Sequence, residues 1–158
     1  MRIFRKQVKA TERKGVAIAE TAVVLPVFFV ILFGFIEFGH VYLTIHSLNS
    51  AARRAARLGV SDGATTAEVQ DLAKTVVGAA FRVQAATVLV KDASVFDTVG
   101  VDAETINYES LPSIELSTAE RRQLFLVRVA VNYGDIAILG PRWLGNIPLY
   151  GQAVMRKE

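Results

Sequence analysis

Most ionisable residues of this chain are arranged for no recognisable catalysis, but one of them is hard to place. Glu20 follows Gly15-Val16-Ala17-Ile18-Ala19 and precedes apolar residues that run almost unbroken to Ile45. A carboxylate held within a membrane costs about 3 kcal/mol or more, and less near the interface. Glu20 falls roughly 6–8 Å inside the start of the apolar run, at about 1.5 Å per helical residue. Protonation or snorkelling to the headgroups relieves that cost, and so does a positive charge from a neighbouring chain. Glu37 falls about 32 Å past Val16 on an ideal helix, where the far interface makes a carboxylate cheap.

The remaining inventory is thin. His40 and His46 are six residues apart, not the i, i+4 spacing that sets two imidazoles on one helix face for zinc. Asp92, Asp97, Asp102, Glu104, Glu109, Glu115 and Glu120 lack the D-x-D-x-D-G order of a calcium loop and read as a solvated excursion. There is no cysteine, no G-x-S-x-G and no phosphate-cradling glycine loop. We therefore expect no enzyme, no cofactor and no metal site. Trp143, between Pro141 and Leu144, reads as a core or interface anchor.

These residues need a stem and a domain to hold them. The chain has 158 residues, of which 52% are hydrophobic, and a mean hydropathy of +0.35. That suits one membrane span carrying one modest domain. Residues 1–15 hold six basic groups (Arg2, Arg5, Lys6, Lys9, Arg13, Lys14) against Glu12, and the rest of the chain is slightly acidic. The basic character thus belongs to the leader, which argues against a nucleic-acid-binding face. Positive charge before an apolar run predicts a cytoplasmic N-terminus. The run, about 30 residues long, exceeds the core of a signal peptide, roughly 7–15 residues. Val16 to Phe38 satisfies the ~20 residues of a membrane helix.

Pro26 removes one helical hydrogen bond and predicts a kink. Apolar spacing continues through Tyr42, Ile45, Leu48, Ala52, Ala55 and Ala56, until Gly59 and Ser61-Asp62-Gly63 supply a stop. Arg53, Arg54 and Arg57 lie beyond the membrane, as a solvated face or as a contact for a partner or for lipid.

Thr65 to Glu68 has capping-box spacing and predicts a second helix to about Ala80, with Val69, Leu72, Ala73, Val76 and Val77 on one face. Ala86–Val90 reads as a strand and Ser94–Phe96 as a further short one. Arg122–Tyr133, apolar on both faces apart from Arg128, reads as a central strand. A helical turn is expected around Pro141-Arg142-Trp143, and a last strand over Leu149–Arg156. The fold class is α+β: a long N-terminal membrane-spanning helix, then a helix packed on a small antiparallel sheet. The expected divisions are a leader over 1–15, a transmembrane stem over 16–59 and an extracytoplasmic domain over 60–158.

A glycine after a basic leader, then a glutamate at the fifth position of an apolar helix, resembles a type IV prepilin processing site. The longer text is similar to TadE-like pseudopilins of tight-adherence (Tad/Flp) pilus systems. The matching positions are Glu20, Leu25, Pro26, Phe33, Gly34, Glu37, Phe38, Gly39, Ala51, Ala52 and Arg53, with an echo in Ala153–Glu158. The resemblance implies cleavage by a prepilin peptidase between Gly15 and Val16. It also implies that Glu20 meets the N-terminal amine of an adjacent subunit, so the partners would be the peptidase, other pilin-like subunits, pilus-assembly membrane proteins and the lipid bilayer. The major pilins of these systems often have a tyrosine after the glutamate and are shorter. Thr21 and the chain's length point to a minor subunit, and the resemblance implies a place in the bacterial inner membrane. The other reading is an uncleaved single-pass protein whose outer domain binds a ligand or partner.

Overall fold

The computed structural model describes residues 5–80, 86–98, 100–103, 105–138 and 147–158, with side chains from Gly15 onward. A 56-residue helix, α1 (Arg5–Val60), opens the chain. It is followed by α2 (Thr66–Ala80) and three strands, β1 (Thr87–Asp92), β2 (Leu124–Asn132) and β3 (Pro148–Arg156). Short 3₁₀ turns occupy Ser94–Asp97, Leu116–Thr118 and Tyr133–Asp135. The expected class, α+β with a long apolar helix before a small antiparallel sheet, is what the chain adopts. Contacts divide it into two units, one ending at Gly39 and the other comprising His40–Glu158.

In the first unit α1 is apolar and exposed. Every described residue from Gly15 to Ile36 is open to the surroundings, and the helix continues through Pro26 without interruption. A helix apolar all round with no core of its own requires an apolar solvent or other helices. Among the described residues, one helical segment, Gly15–Val60 of α1, has the length and hydropathy to cross a membrane, which fits a single-pass membrane protein.

The second unit contains the core. The sheet order is β1-β2-β3, antiparallel throughout, with Val90, Val127 and Ala153 in one cross-strand row. Alternation along the strands sets Val88, Val90, Phe125, Val127, Val129, Val131, Leu149 and Ala153 on one face. They join Leu48, Ala51, Ala52, Ala55 and Ala56 of α1 and Val69, Ala73 and Val77 of α2 in a single buried cluster. Alanines on α1 let the helix approach the sheet closely. β2 is central, and both faces of it are buried at Phe125, Leu126 and Val127.

The signals at the start of α2 act as their spacing predicts. Thr65 N–H donates to Glu68 at 3.0 Å, and Glu68 N–H donates to Thr65 Oγ1 at 3.2 Å. This reciprocal box satisfies two amides that the helix start would leave bare. Before it, the chain leaves α1 through a bond from Ser61 N–H to the Leu58 carbonyl (3.1 Å), and Gly63 supplies the left-handed conformation at φ 77°.

Two expectations need correction. Ser94–Phe96 is not a strand but part of a 3₁₀ turn. The Asp92 carboxylate accepts Ser94 N–H at 2.7 Å, and this Asx-type bond curls the chain as β1 ends. Nor is the acidic excursion wholly solvated. Leu116 is fully buried, joining the core beside Gly59 and Phe125. The expected turn around Pro141–Trp143 lies outside the described residues.

Candidate functional site

Gly15, Val16 and Glu20 lie within six residues on α1, all exposed. A side chain built at Gly15 would meet nothing within 4 Å. Among the described residues, nothing crowds that position. Glu20, Thr21, Val24, Leu25 and Phe28 line a shallow open groove along the helix. Thr21 Oγ1 is not available to that groove as a free donor, because it donates to the Ala17 carbonyl at 2.8 Å. The carboxylate of Glu20 is thus the principal polar group of a mostly apolar groove. Pro26 lies within the same helix and lacks the N–H that would otherwise bond the Ala22 carbonyl.

The arginines belong to the other unit. Arg53, Arg54 and Arg57 are exposed, while Ala51, Ala52, Ala55 and Ala56 on the same turns are fully buried. Arg53 Nε donates to the Asn49 carbonyl one turn back, at 3.2 Å. Packing of the alanines holds these guanidinium groups outward, as a solvated or partner-binding face.

Three of the acids of residues 92–120, Asp92, Asp97 and Glu115, have structural employment. Asp92 accepts from Ser94 and, at 2.8 Å, from Gln123 Nε2. Burial works against its charge, but the Ser94 and Gln123 bonds outweigh burial and hold its carboxyl below the usual range. Asp97 pairs with Arg156. Glu115 accepts Thr66 N–H at 3.0 Å, at the start of α2, and Ser117 N–H at 3.3 Å. The Thr66 bond is the main reason its carboxyl also falls below the ordinary value. His46 is exposed and His40 half-buried on α1. Among the described residues no three His, Cys, Asp or Glu side chains gather as a metal would require.

Sequence reasoning missed three positions. Arg128, an interruption in an apolar strand, has its guanidinium between the rings of Tyr108 (4.6 Å) and Tyr150 (3.9 Å), on the face of the sheet opposite the core. Lys157 is 4% exposed and donates to the Gly59 carbonyl at 3.3 Å and to that of Ser61. Gly151 lies directly against the α1 backbone at Leu48 and Asn49. Their partners are distant in the chain, and only a glycine within a strand hinted at a close approach.

The class these features define is an α+β protein carried on one apolar helix suited to a single membrane crossing. Residues 15–57 match the family model described as TadE-like protein, and the chain is consistent with a protein of that kind. The match starts at the glycine and ends at the third arginine. Comparison with curated proteins and with solved structures gives no match.

Proposed function

We propose that this chain is a minor pilin-like subunit that supports assembly of a Tad/Flp pilus. The observation that carries the reading is the TadE-like match over residues 15–57, which begins at Gly15 and contains Glu20 at the fifth position after it. A prepilin peptidase cuts between Gly15 and Val16, so the protein is a substrate of an enzyme rather than an enzyme. The cut creates an ammonium at Val16 in place of a peptide nitrogen. The Glu20 carboxylate of an adjacent subunit then gains a cationic partner in a low-dielectric setting, where such pairing matters most.

Supporting features are the exposure of the whole apolar segment from Gly15 to Ile36 and the open surroundings of Gly15. The N-terminus is cytoplasmic, the membrane is the inner membrane, and residues 60–158 face outward to contact other pilus-assembly proteins. Mass spectrometry of the mature N-terminus tests the reading. A chain starting at Val16 is expected in cells with an active prepilin peptidase, and an uncut chain starting at Met1 in those cells would sink it.

A further inference from the structure

The second unit has several exposed apolar side chains, four of which fall toward one end. Its exposed large apolar side chains are Tyr42, Leu43, Ile138, Ile147, Tyr150 and Val154 among the described residues. None lies between Thr44 and Ala137. The first two close the apolar run of α1. The question is where Ile138 and Ile147 lie relative to them.

β3 runs beside α1 in the same sense. Gly151 abuts Leu48 and Asn49, Gln152 N–H donates to Asn49 Oδ1 at 3.2 Å, and Lys157 Nζ reaches the Gly59 carbonyl at 3.3 Å. From Gly151 to Lys157 is about 20 Å of strand. From Leu48 to Gly59 is about 16 Å of helix. Extending β3 backward at that ratio brings Ile147 level with Val41–Leu43. Packing agrees, since Val41 and Ile45 rest on the core cluster that contains Tyr133 and Leu149. Tyr133 N–H donates to the Ile147 carbonyl at 2.9 Å, and Ala137 N–H to the Tyr133 carbonyl at 2.9 Å, which tie residues 133–138 to the same end. At that level Ile138 is 60% exposed and Ile147 47%, and Tyr42 is 71% and Leu43 62% exposed.

We propose that this end of the domain rests on the bilayer surface, with Ile138 and Ile147 inserted at headgroup depth next to Tyr42 and Leu43. The occupant is lipid because Tyr42 and Leu43 close the apolar run of the sequence, and Ile138 and Ile147 fall level with them within the same unit. Tyrosine at such a boundary suits the interface, having an apolar ring and a polar tip. Asp135 is exposed on the adjoining turn, and a carboxylate there limits the insertion to the headgroup layer. Arg53 is about 15 Å past Leu43 along the helix, beyond a headgroup layer of roughly 5–8 Å. The arginines therefore face water or a protein. The proposal does not depend on processing at Gly15, since the uncut chain contains every residue involved.

The chain has no cysteine, so single labels can be placed at will. Tyr42→Cys, Ile138→Cys, Ile147→Cys and Arg54→Cys are each made in the full chain, spin-labelled and reconstituted in phosphatidylcholine vesicles. Collision rates are then measured with oxygen, which concentrates in lipid, and with a water-soluble nickel chelate. The oxygen-to-nickel ratio at 42, 138 and 147 is expected to exceed that at 54 severalfold. Ratios at 138 and 147 equal to that at 54 overturn the proposal. So does shielding of both sites from both reagents, which would mean that protein covers them. An aqueous ratio at 42 overturns it as well, by placing the bilayer boundary elsewhere.

Discussion

Gly151 lies against the peptide joining Leu48 to Asn49. A Cβ at that position would sit 2.2 Å from the Leu48 carbonyl carbon and 2.3 Å from the Asn49 nitrogen. Both obstacles are backbone, which cannot swing aside as a side chain does. Gly151→Ala should therefore destabilise the domain by about 1–3 kcal/mol, the usual range for overpacking, or more. Gly78→Ala provides the contrast. That position is in α2 with nothing within 4 Å, and alanine there should stabilise by about 0.4–1 kcal/mol. Denaturant unfolding of the detergent-solubilised chain, followed by near-UV dichroism, reads both.

Lys157 should be equally sensitive for a different reason. Its ammonium serves carbonyls at the end of α1, where the helix leaves acceptors without internal partners. Lys157→Met keeps much of the apolar stem but leaves the Gly59 and Ser61 carbonyls short of a donor. A loss of about 1–3 kcal/mol is expected, measured by the same unfolding midpoints.

Acid should weaken the domain through Glu115 and Asp92. Both carboxyls titrate below their ordinary values in the folded chain. A depressed folded value means that the stabilisation is fully present above the unfolded pKa, about 4. It is lost as pH falls through the folded values. Unfolding midpoints should hold above pH ~5 and fall below pH ~4. Glu115→Gln should flatten that fall, and an unchanged slope would show that the carboxylate contributes nothing.

Glu20→Ala separates the two events proposed for the opening of α1. Cleavage after Gly15 should proceed, giving the same mature N-terminus by mass spectrometry. Incorporation into the pilus-assembly complex should drop severalfold, read by co-purification with the other pilin-like subunits. Normal incorporation would remove the charge-pair role of Glu20 while leaving the processing claim untouched.

What could be read from the chain in advance depended on distance along it. Thr65 and Glu68 bond reciprocally because three residues suffice to define a capping box. β2 proved central, since apolar residues on both its faces demanded cover on both. The TadE-like stretch was legible too, being a spacing pattern along one helix. The missed features join remote residues. Arg128 looked like a defect until Tyr108 and Tyr150 closed on its guanidinium. The Ser94 turn arose from a local Asx bond that outweighed the extended propensity of Val95 and Phe96.

The bond from Gln152 N–H to Asn49 Oδ1 joins residues 103 apart in the chain. It belongs to the seam where β3 docks beside α1 and pairs with β2. Closing so long a loop costs entropy before the contacts return it, and such topologies fold slowly. If residues 60–158 face outward, as proposed above, this sets an order of events. Residues 60–130 can emerge without completing a core, because their seam partner, residues 148–157, has not yet arrived. On the proposed orientation the domain would lack its core, and so remain transportable, until nearly all of it had crossed. Its last strand would then act as a timer for folding.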